Sequence, residues 1–356
     1  MSEAAPGAVP AAVLGRWAAF AGASSRPYGT GLINATFLVE GSAGRAIVQR
    51  MHPVFSPRVN DDIDAVTKHL ARKGIVTTRV IPTDDGARWV MHDEGDGERP
   101  WRALTWVEHA HVFDKVPSPA VAREGAALVG AFHRAMVDFD YEYKAAREGV
   151  HDTPRHLRNL ADAVAAHPDH RLREQVAPLA DEVLDAASRL ALVRGLPARH
   201  AHGDLKISNL LFDEALRGVC LIDLDSVSRM PLAMELGDAM RSWCNPAGED
   251  ATETRVDREV FRALVEGYAS VARETVTAPE RDALVAGFAQ IALELTARFL
   301  ADALNERYFG WAPARFATRG EHNLVRARGQ WSLHRAVMAA RGALEAEVNE
   351  AFRGAP

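Results

Sequence analysis

The sequence predicts an α+β protein of two lobes, a small β-rich lobe followed by a larger, mainly helical one. Three observations predict it. The 356 residues exceed what one compact core usually holds. Up to Glu108, short β-type runs alternate with Gly-containing turns around a single helical pattern. Beyond Glu108, apolar residues recur every three or four positions and β-type sequence shrinks to one island.

The elements follow in order. The Ala/Pro-rich first 23 residues are expected to be partly disordered. Thr36–Glu40 and Ala46–Arg50 read as strands joined by Gly41-Ser42-Ala43-Gly44, a hairpin signal. A helix is expected from Asn60 to Lys73, with Asn60 as N-cap, Ile63, Val66 and Leu70 as its apolar stripe, and Gly74 ending it. Thr77–Ile81, Arg88–His92 and Arg102–Glu108 complete the first lobe, residues 1–108. In the second lobe, residues 109–356, Ser118-Pro119 starts a helix whose face carries Val121, Gly125, Leu128, Val129, Phe132 and Met136. Further helices are expected near 173–189, 258–271, 279–304 and 324–352, around an island at Leu210–Phe212 and Val219–Ile222.

Composition narrows the function. With 47% hydrophobic and 25% charged residues the chain reads as globular. A net charge of −6 gives no global attraction to nucleic acid or to an anionic membrane. Cys220 and Cys244 are too few for a metal cluster and point to a reduced, cytoplasmic protein. The N-terminus lacks the order of a signal peptide, and the longest apolar stretch, Gly125–Phe132, falls well short of a membrane span.

The stretch that carries chemistry is His202-Gly203-Asp204-Leu205-Lys206-Ile207-Ser208-Asn209, followed by Leu221-Ile222-Asp223-Leu224-Asp225. Phosphoryl transfer from a nucleotide needs a carboxylate at the attacking hydroxyl and oxygen ligands for the magnesium that bridges the phosphates. Asp204 suits the first role, Asn209 and Asp223 the second, and Lys206 the neutralisation of γ-phosphate charge. His202 is expected to shape the loop rather than move protons. P-loop, zincin and nucleophile-elbow motifs are all missing from the chain.

These residues resemble the aminoglycoside phosphotransferase/choline kinase superfamily, which has a two-lobed protein-kinase-like fold. More narrowly, the chain is similar to the bacterial N-acetylhexosamine 1-kinase branch. That resemblance runs from Gly29-Thr-Gly-Leu-Ile-Asn34 through His151-Asp-Thr-Pro154, the catalytic loop, Leu236-Gly-Asp238-Ala-Met-Arg241, Arg298-Phe-Leu-Ala-Asp302 with Tyr308-Phe309, and Glu321–Arg326.

The resemblance implies ATP and Mg2+ as cofactors and a sugar or amino-sugar acceptor. Gly29, Gly31 and Asn34 would belong to the phosphate-covering turn. Arg50 stands where the superfamily has a nucleotide-clamping cation, although Gln49 beside it leaves the register uncertain by one residue. Its acidic partner is sought in Asp61 or Asp64. Trp106 and Glu108, in the segment joining the lobes, would receive adenine through their backbone. Asp238 would hold the catalytic-loop backbone, and Asp225 would stand behind the metal ligands or add one. Arg298, Asp302 and Tyr308 would face the acceptor, the i,i+4 pair Arg298–Asp302 being equally readable as an ion pair. Two alternatives stay open. One is a kinase for an aminoglycoside or another hydroxylated metabolite, favoured by the acidic run Glu249-Asp250 with Glu253. The other is a catalytically dead nucleotide-binding regulator, which the intact Asp204, Asn209 and Asp223 disfavour. Monomer against dimer is not decided by the sequence.

Overall fold

The structure, a computed structural model, describes residues 7–29, 34–42, 44–95, 97–146 and 149–353. The chain divides into two compact units. The first holds residues 1–110, 138–146 and 220–227; the second holds 111–137, 147–219 and 228–356.

The first unit is built on a six-stranded antiparallel sheet among the described residues. A short helix α1 (Ala11–Leu14) precedes β1 (Ser24–Pro27), β2 (Ala35–Gly41) and β3 (Gly44–Arg50). Then come α2 (Val59–Arg72), β4 (Val80–Ile81), β5 (Val90–Asp93) and β6 (Glu98–Thr105). The strand order is β1-β2-β3-β6-β4, with β5 also paired to β6. The expected hairpin is present, paired from Ala35↔Arg50 to Gly41↔Gly44.

One face of this sheet buries Phe37, Val39, Ala46, Val48, Trp101 and Ala103 against Val9, Val13, Leu14, Trp17 and Phe20. Within the Ala/Pro-rich start, Val9 to Phe20 thus pack on the sheet. Two aromatic and three aliphatic side chains outweigh the weak local propensity, because each gains on the order of 1.5–3 kcal/mol by leaving water. The other face follows from the two-residue period of a strand. Gln49 and Arg102 alternate with core residues, oppose each other across β3 and β6, and point away from that core.

The chain crosses β7 (Ala110–His111) and enters the helical unit. Its first helix, α3 (Pro119–Ala135), starts as expected, with the Ser118 hydroxyl accepting from Val121 N. The expected α3 face is buried from Val121 to Met136. Helices α4 (Thr153–Ala166) and α5 (Arg173–Arg189) follow. Strand β8 (Ala198–Ala201) and, after the catalytic loop, β9 (Leu210–Asp213) and β10 (Gly218–Leu221) come next. Beyond residue 227, β11 (Ser228–Pro231) pairs antiparallel with β8 and runs straight into α6 (Leu232–Trp243). The remainder is α7 (Arg258–Ala272), α8 (Ala278–Asp282), α9 (Leu284–Asn305) and α10 (Arg319–Arg353).

Two departures from expectation matter for the site. Helices α4 and α6 were not expected; α4 packs Leu157, Leu160, Ala163 and Val164 on the core, and nearly all of α6 is buried. Asp238 therefore lies inside α6 rather than opening a helix. Glycines bring α6 against α9: a methyl group on Gly237 would sit 2.7 Å from the Gly287 carbonyl carbon. Among the described residues α9 alone is long and apolar enough to cross a membrane, yet 89% of its apolar window is buried inside the protein.

Candidate active site

The β8–β11 pair fixes the start of the catalytic loop, and the loop is then held by side chains. His202 is fully buried, and its Nδ1 accepts from Asp204 N at 3.3 Å, the shaping role expected of it. Asn209 donates through Nδ2 to the Asp204 carbonyl at 2.8 Å and to its Oδ2 at 3.0 Å. Lys206 Nζ lies 2.8 Å from the same Oδ2. The predicted residues Asp204, Lys206 and Asn209 are thus brought together. Burial alone would raise the Asp204 pKa, but Lys206, His202 and Arg241 outweigh it and hold the carboxyl below its usual range. Ionised, it is a proton acceptor that does not need to be deprotonated near neutral pH.

The group that holds the loop backbone is Glu235, which the sequence reading missed. Its Oε1 accepts from His202 N at 2.7 Å and its Oε2 from Gly203 N at 3.0 Å, with His133 Nε2 3.5 Å away. Asp238, expected in this role, sits one turn further along α6 and pairs instead with Arg241 at 2.8 Å. Only a residue one turn earlier reaches the two N–H groups as the chain leaves β8. Burial pushes the Glu235 pKa up, yet His133, His202 and the loop N–H groups win and lower it. A group with a depressed folded pKa stabilises above its unfolded value and loses that contribution as pH falls through the folded value. Glu235→Gln leaves one oxygen and turns an NH2 toward a loop N–H. It is expected to cost about 2–3 kcal/mol, read as a lower melting temperature at neutral pH and a smaller loss in acid.

In the first unit, Asp223 follows β10 with φ 63° and ψ 54°, a left-handed conformation that Asp tolerates better than most residues. Asp225 is 3% exposed and committed: both its oxygens pair with Arg102, and Oδ2 also accepts from Asn34 Nδ2 at 2.6 Å. That removes Asp225 as an additional metal ligand.

Most of the nucleotide-facing candidates have their side chains engaged within the first unit. Arg50 lies on the core face of β3 with Ala46 and Val48, and pairs with Glu94 at 2.7 Å. Asp61 and Asp64 do not pair with it; they bind Arg88 at 3.1 and 2.9 Å. Gln49 takes the opposite face, so the register uncertainty resolves against Arg50. Asn34 spends its side chain on Asp225 and on His52 N, whose N–H it accepts at 2.9 Å. Asn60 is no N-cap; its Nδ2 donates to Pro57 O at 2.8 Å. Gly29 has φ +77°, which suits a turn, while Gly31 lies outside the described residues. Trp106 takes the edge of Tyr28 and the guanidinium of Arg45, and Glu108 pairs with the same Arg45.

The helical unit holds a cavity of about 530 Å3. Arg155, His156, Asn159, Arg298, Tyr308 and Phe309 are among its walls, so the three predicted acceptor residues Arg298, Asp302 and Tyr308 do gather. Their roles differ. The Asp302 carboxylate accepts from Arg307 N, Tyr308 N and Phe309 N, each at 2.9 Å, and from Asn323 Nδ2 at 2.8 Å. It builds the turn after α9 and keeps little capacity for a ligand, a correction to its expected role. Arg298 lies 3.8 Å from Glu294, not against Asp302, and its guanidinium stands over the Tyr308 and Phe309 rings at 5.9 and 5.5 Å. Glu294, fully buried, also accepts from Thr153 Oγ1 at 2.6 Å and faces His151 Nδ1 at 3.0 Å. Two acids of the acidic run are engaged: Glu249 pairs with Arg241, and Asp250 with Arg315, His322 and Arg326.

The family model for the phosphotransferase enzyme family matches residues 24–273. The chain belongs to that family. Solved structures agree on the fold. A microcompartment-associated aminopropanol kinase is 18% identical, with 92% of this chain and 96% of that one covered at a TM-score of 0.61. An amicoumacin kinase in complex with AMP-PNP, Ca2+ and Ami is 12% identical over 85% and 86%, at 0.59. A choline/ethanolamine kinase family protein from Mesorhizobium loti is 17% identical over 95% of each chain, at 0.53. The phosphotransferase therefore has the expected α+β, protein-kinase-like fold, with an antiparallel sheet in its N-terminal part and helices in its C-terminal part.

The donor chemistry of this phosphotransferase fits Mg2+ with a nucleotide. Among the described residues no group of three His, Cys, Asp or Glu is arranged to hold a metal. Magnesium bound mainly by phosphates and water needs only one or two protein oxygens, the donor type that Asn209 and Asp223 each carry. Asn209 directs its NH2 to Asp204, which leaves its oxygen for a cation.

Proposed function

We propose that this phosphotransferase is an ATP- and magnesium-dependent, cytoplasmic kinase that phosphorylates the anomeric hydroxyl of an N-acetylhexosamine or related sugar. Asp204 takes the proton of the acceptor hydroxyl as its oxygen attacks the γ-phosphorus, and ADP leaves. An anomeric hydroxyl is more acidic than an ordinary alcohol, so a carboxylate with a lowered pKa suffices as a positioning base. Lys206 balances charge beside Asp204, and Asn209 and Asp223 are the metal-holding oxygens. Bound Mg-ATP supplies the phosphoryl group and the divalent charge that offsets its oxygens. On this reading residues 1–108 serve the nucleotide and 109–356 the chemistry and the acceptor.

The observation that carries the choice of acceptor is the balance of groups in the helical unit's cavity. Arg298, Asn159 and His156 offer hydrogen bonds, and Tyr308 and Phe309 offer ring faces. The buried carboxylate Asp302 is saturated by backbone N–H groups, which leaves the exposed Asp162 as the cavity's acidic wall residue. A polycation wants several desolvated carboxylates, and a single-amine alcohol wants at least one; a sugar with an acyl group wants donors and an aromatic surface.

The test is a panel of N-acetylglucosamine, N-acetylgalactosamine, plain hexoses, aminoglycosides and amino alcohols, incubated with enzyme and Mg-ATP. ADP release should come with the N-acetylhexosamines and remove reducing-end signal in step, with brief mild acid restoring it. Release with the reducing end intact moves transfer to another hydroxyl. Release only with an aminoglycoside or amino alcohol overturns the sugar reading and leaves the kinase standing.

A further inference from the structure

Arg102 is 1% exposed, and every one of its guanidinium N–H groups has a partner. Nε donates to Gln49 Oε1 at 2.9 Å. Nη2 donates to that same oxygen at 2.7 Å and to Asp225 Oδ2 at 2.9 Å. Nη1 donates to Asp225 Oδ1 and, at 3.4 Å, to Asn60 Oδ1. The partners are tied down in turn: Gln49 Nε2 donates to Thr36 Oγ1 at 3.0 Å, and Asn60 Nδ2 to Pro57 O. One buried cation thus joins β3, β6, α2 and the 220–227 segment.

Its place in the sheet gives this meaning. Position 49, the β3 residue on the face away from the apolar core, is a glutamine, and its direct neighbour across the ladder is Arg102. The cation missing from β3 sits one strand over. It does not reach for a ligand, because its donors are spent. It grips Asp225 bidentately, and Asp225 lies in the tight Leu224–Ser226 turn that follows the left-handed Asp223.

We propose that Arg102 is a positioning residue for phosphoryl transfer: by clamping Asp225 across the ladder it fixes the Leu224–Ser226 turn and, through it, the Asp223 carboxylate that holds the divalent cation. The proposal rests on the metal-dependent kinase reading above. Arg102→Lys keeps the charge and removes the planar fork. Gln49→Leu keeps the ion pair and frees the guanidinium from one of its three partners.

The test uses the full-length protein and two readouts other than turnover. The first is binding of a fluorescent ATP analogue titrated with Mn2+; the second is amide exchange in residues 220–227 without metal or nucleotide. Arg102→Lys should raise half-saturating Mn2+ by about ten-fold or more, as loss of a residue behind a metal ligand does elsewhere. The same variant should speed exchange at Leu224–Ser226 and leave the acceptor KM within about two-fold. Gln49→Leu should shift Mn2+ in the same direction by about three-fold, and it decides the matter alone if Arg102→Lys does not fold. Unchanged Mn2+ dependence in folded variants overturns the proposal and leaves Arg102 a purely structural ion pair, whatever happens to melting temperature. A wild-type protein that binds no nucleotide with Mn2+ overturns the kinase reading instead.

Discussion

Replacing Asp204 by asparagine is expected to lower kcat by about two orders of magnitude or more. The substitution preserves size and polarity, and an amide oxygen can still meet Lys206 Nζ and Asn209 Nδ2, which lie 2.8 and 3.0 Å from Oδ2. What it removes is the capacity to take a proton. Nucleotide binding and melting temperature should therefore barely move while turnover falls, and both are measured beside the kinetics. The pH profile adds a second check. A depressed pKa means that the basic form is populated above the usual carboxylate value, about 3.9 for Asp, so Asp204 sets no acidic limb in kcat between pH 6 and 8. Near-wild-type turnover by the Asn variant would take Asp204 out of the role.

What was legible in the sequence was whatever is local. The catalytic loop packs Asp204, Lys206 and Asn209 into six residues between two short strands, and chain continuity alone brings their side chains within hydrogen-bond reach. The hairpin and α3 were legible for the same reason: a two-residue or three-to-four-residue period and a Ser-Pro start act within one element. Arg50 shows where this ends. Adjacent polar residues at the end of a strand point to opposite faces, and only the packing of Trp17 and Phe20 on Ala46 and Val48 says which face is the core. Arg102, the cation on the opposite face, is 52 positions from Arg50 in sequence, and its place beside Gln49 becomes visible only once β3 and β6 are paired. Glu235 was hidden differently. Helix α6 is buried nearly all round and carries Glu235 and Asp238 one turn apart, so the sequence does not say which of the two meets the loop; it is Glu235. Asp302 carried a signal that was read too far: an acid at a helix end can serve the backbone beyond it as well as a ligand.

Replacing Asp223 by alanine is expected to reduce turnover about a thousand-fold, equivalent to about 4 kcal/mol of lost transition-state stabilisation. Asp225 is engaged by Arg102 and Asn34, and the proposed mechanism gives the cation to the Asp223 carboxylate. The backbone complicates the reading, because φ is 63° at this position and alanine pays for a left-handed conformation by about 1 kcal/mol. Asp223→Asn separates the two effects: asparagine tolerates that conformation and keeps a neutral oxygen, so stability should hold while half-saturating Mg2+ rises sharply. Asp223→Gly tests the converse, since it relieves the backbone and still removes the ligand; it should be as inactive as the alanine variant and at least as stable. EDTA should abolish wild-type turnover, and added Mg2+ should restore it. Turnover that persists without any divalent cation, or an alanine variant whose whole defect tracks its melting temperature, would contradict the metal-dependent mechanism at its root.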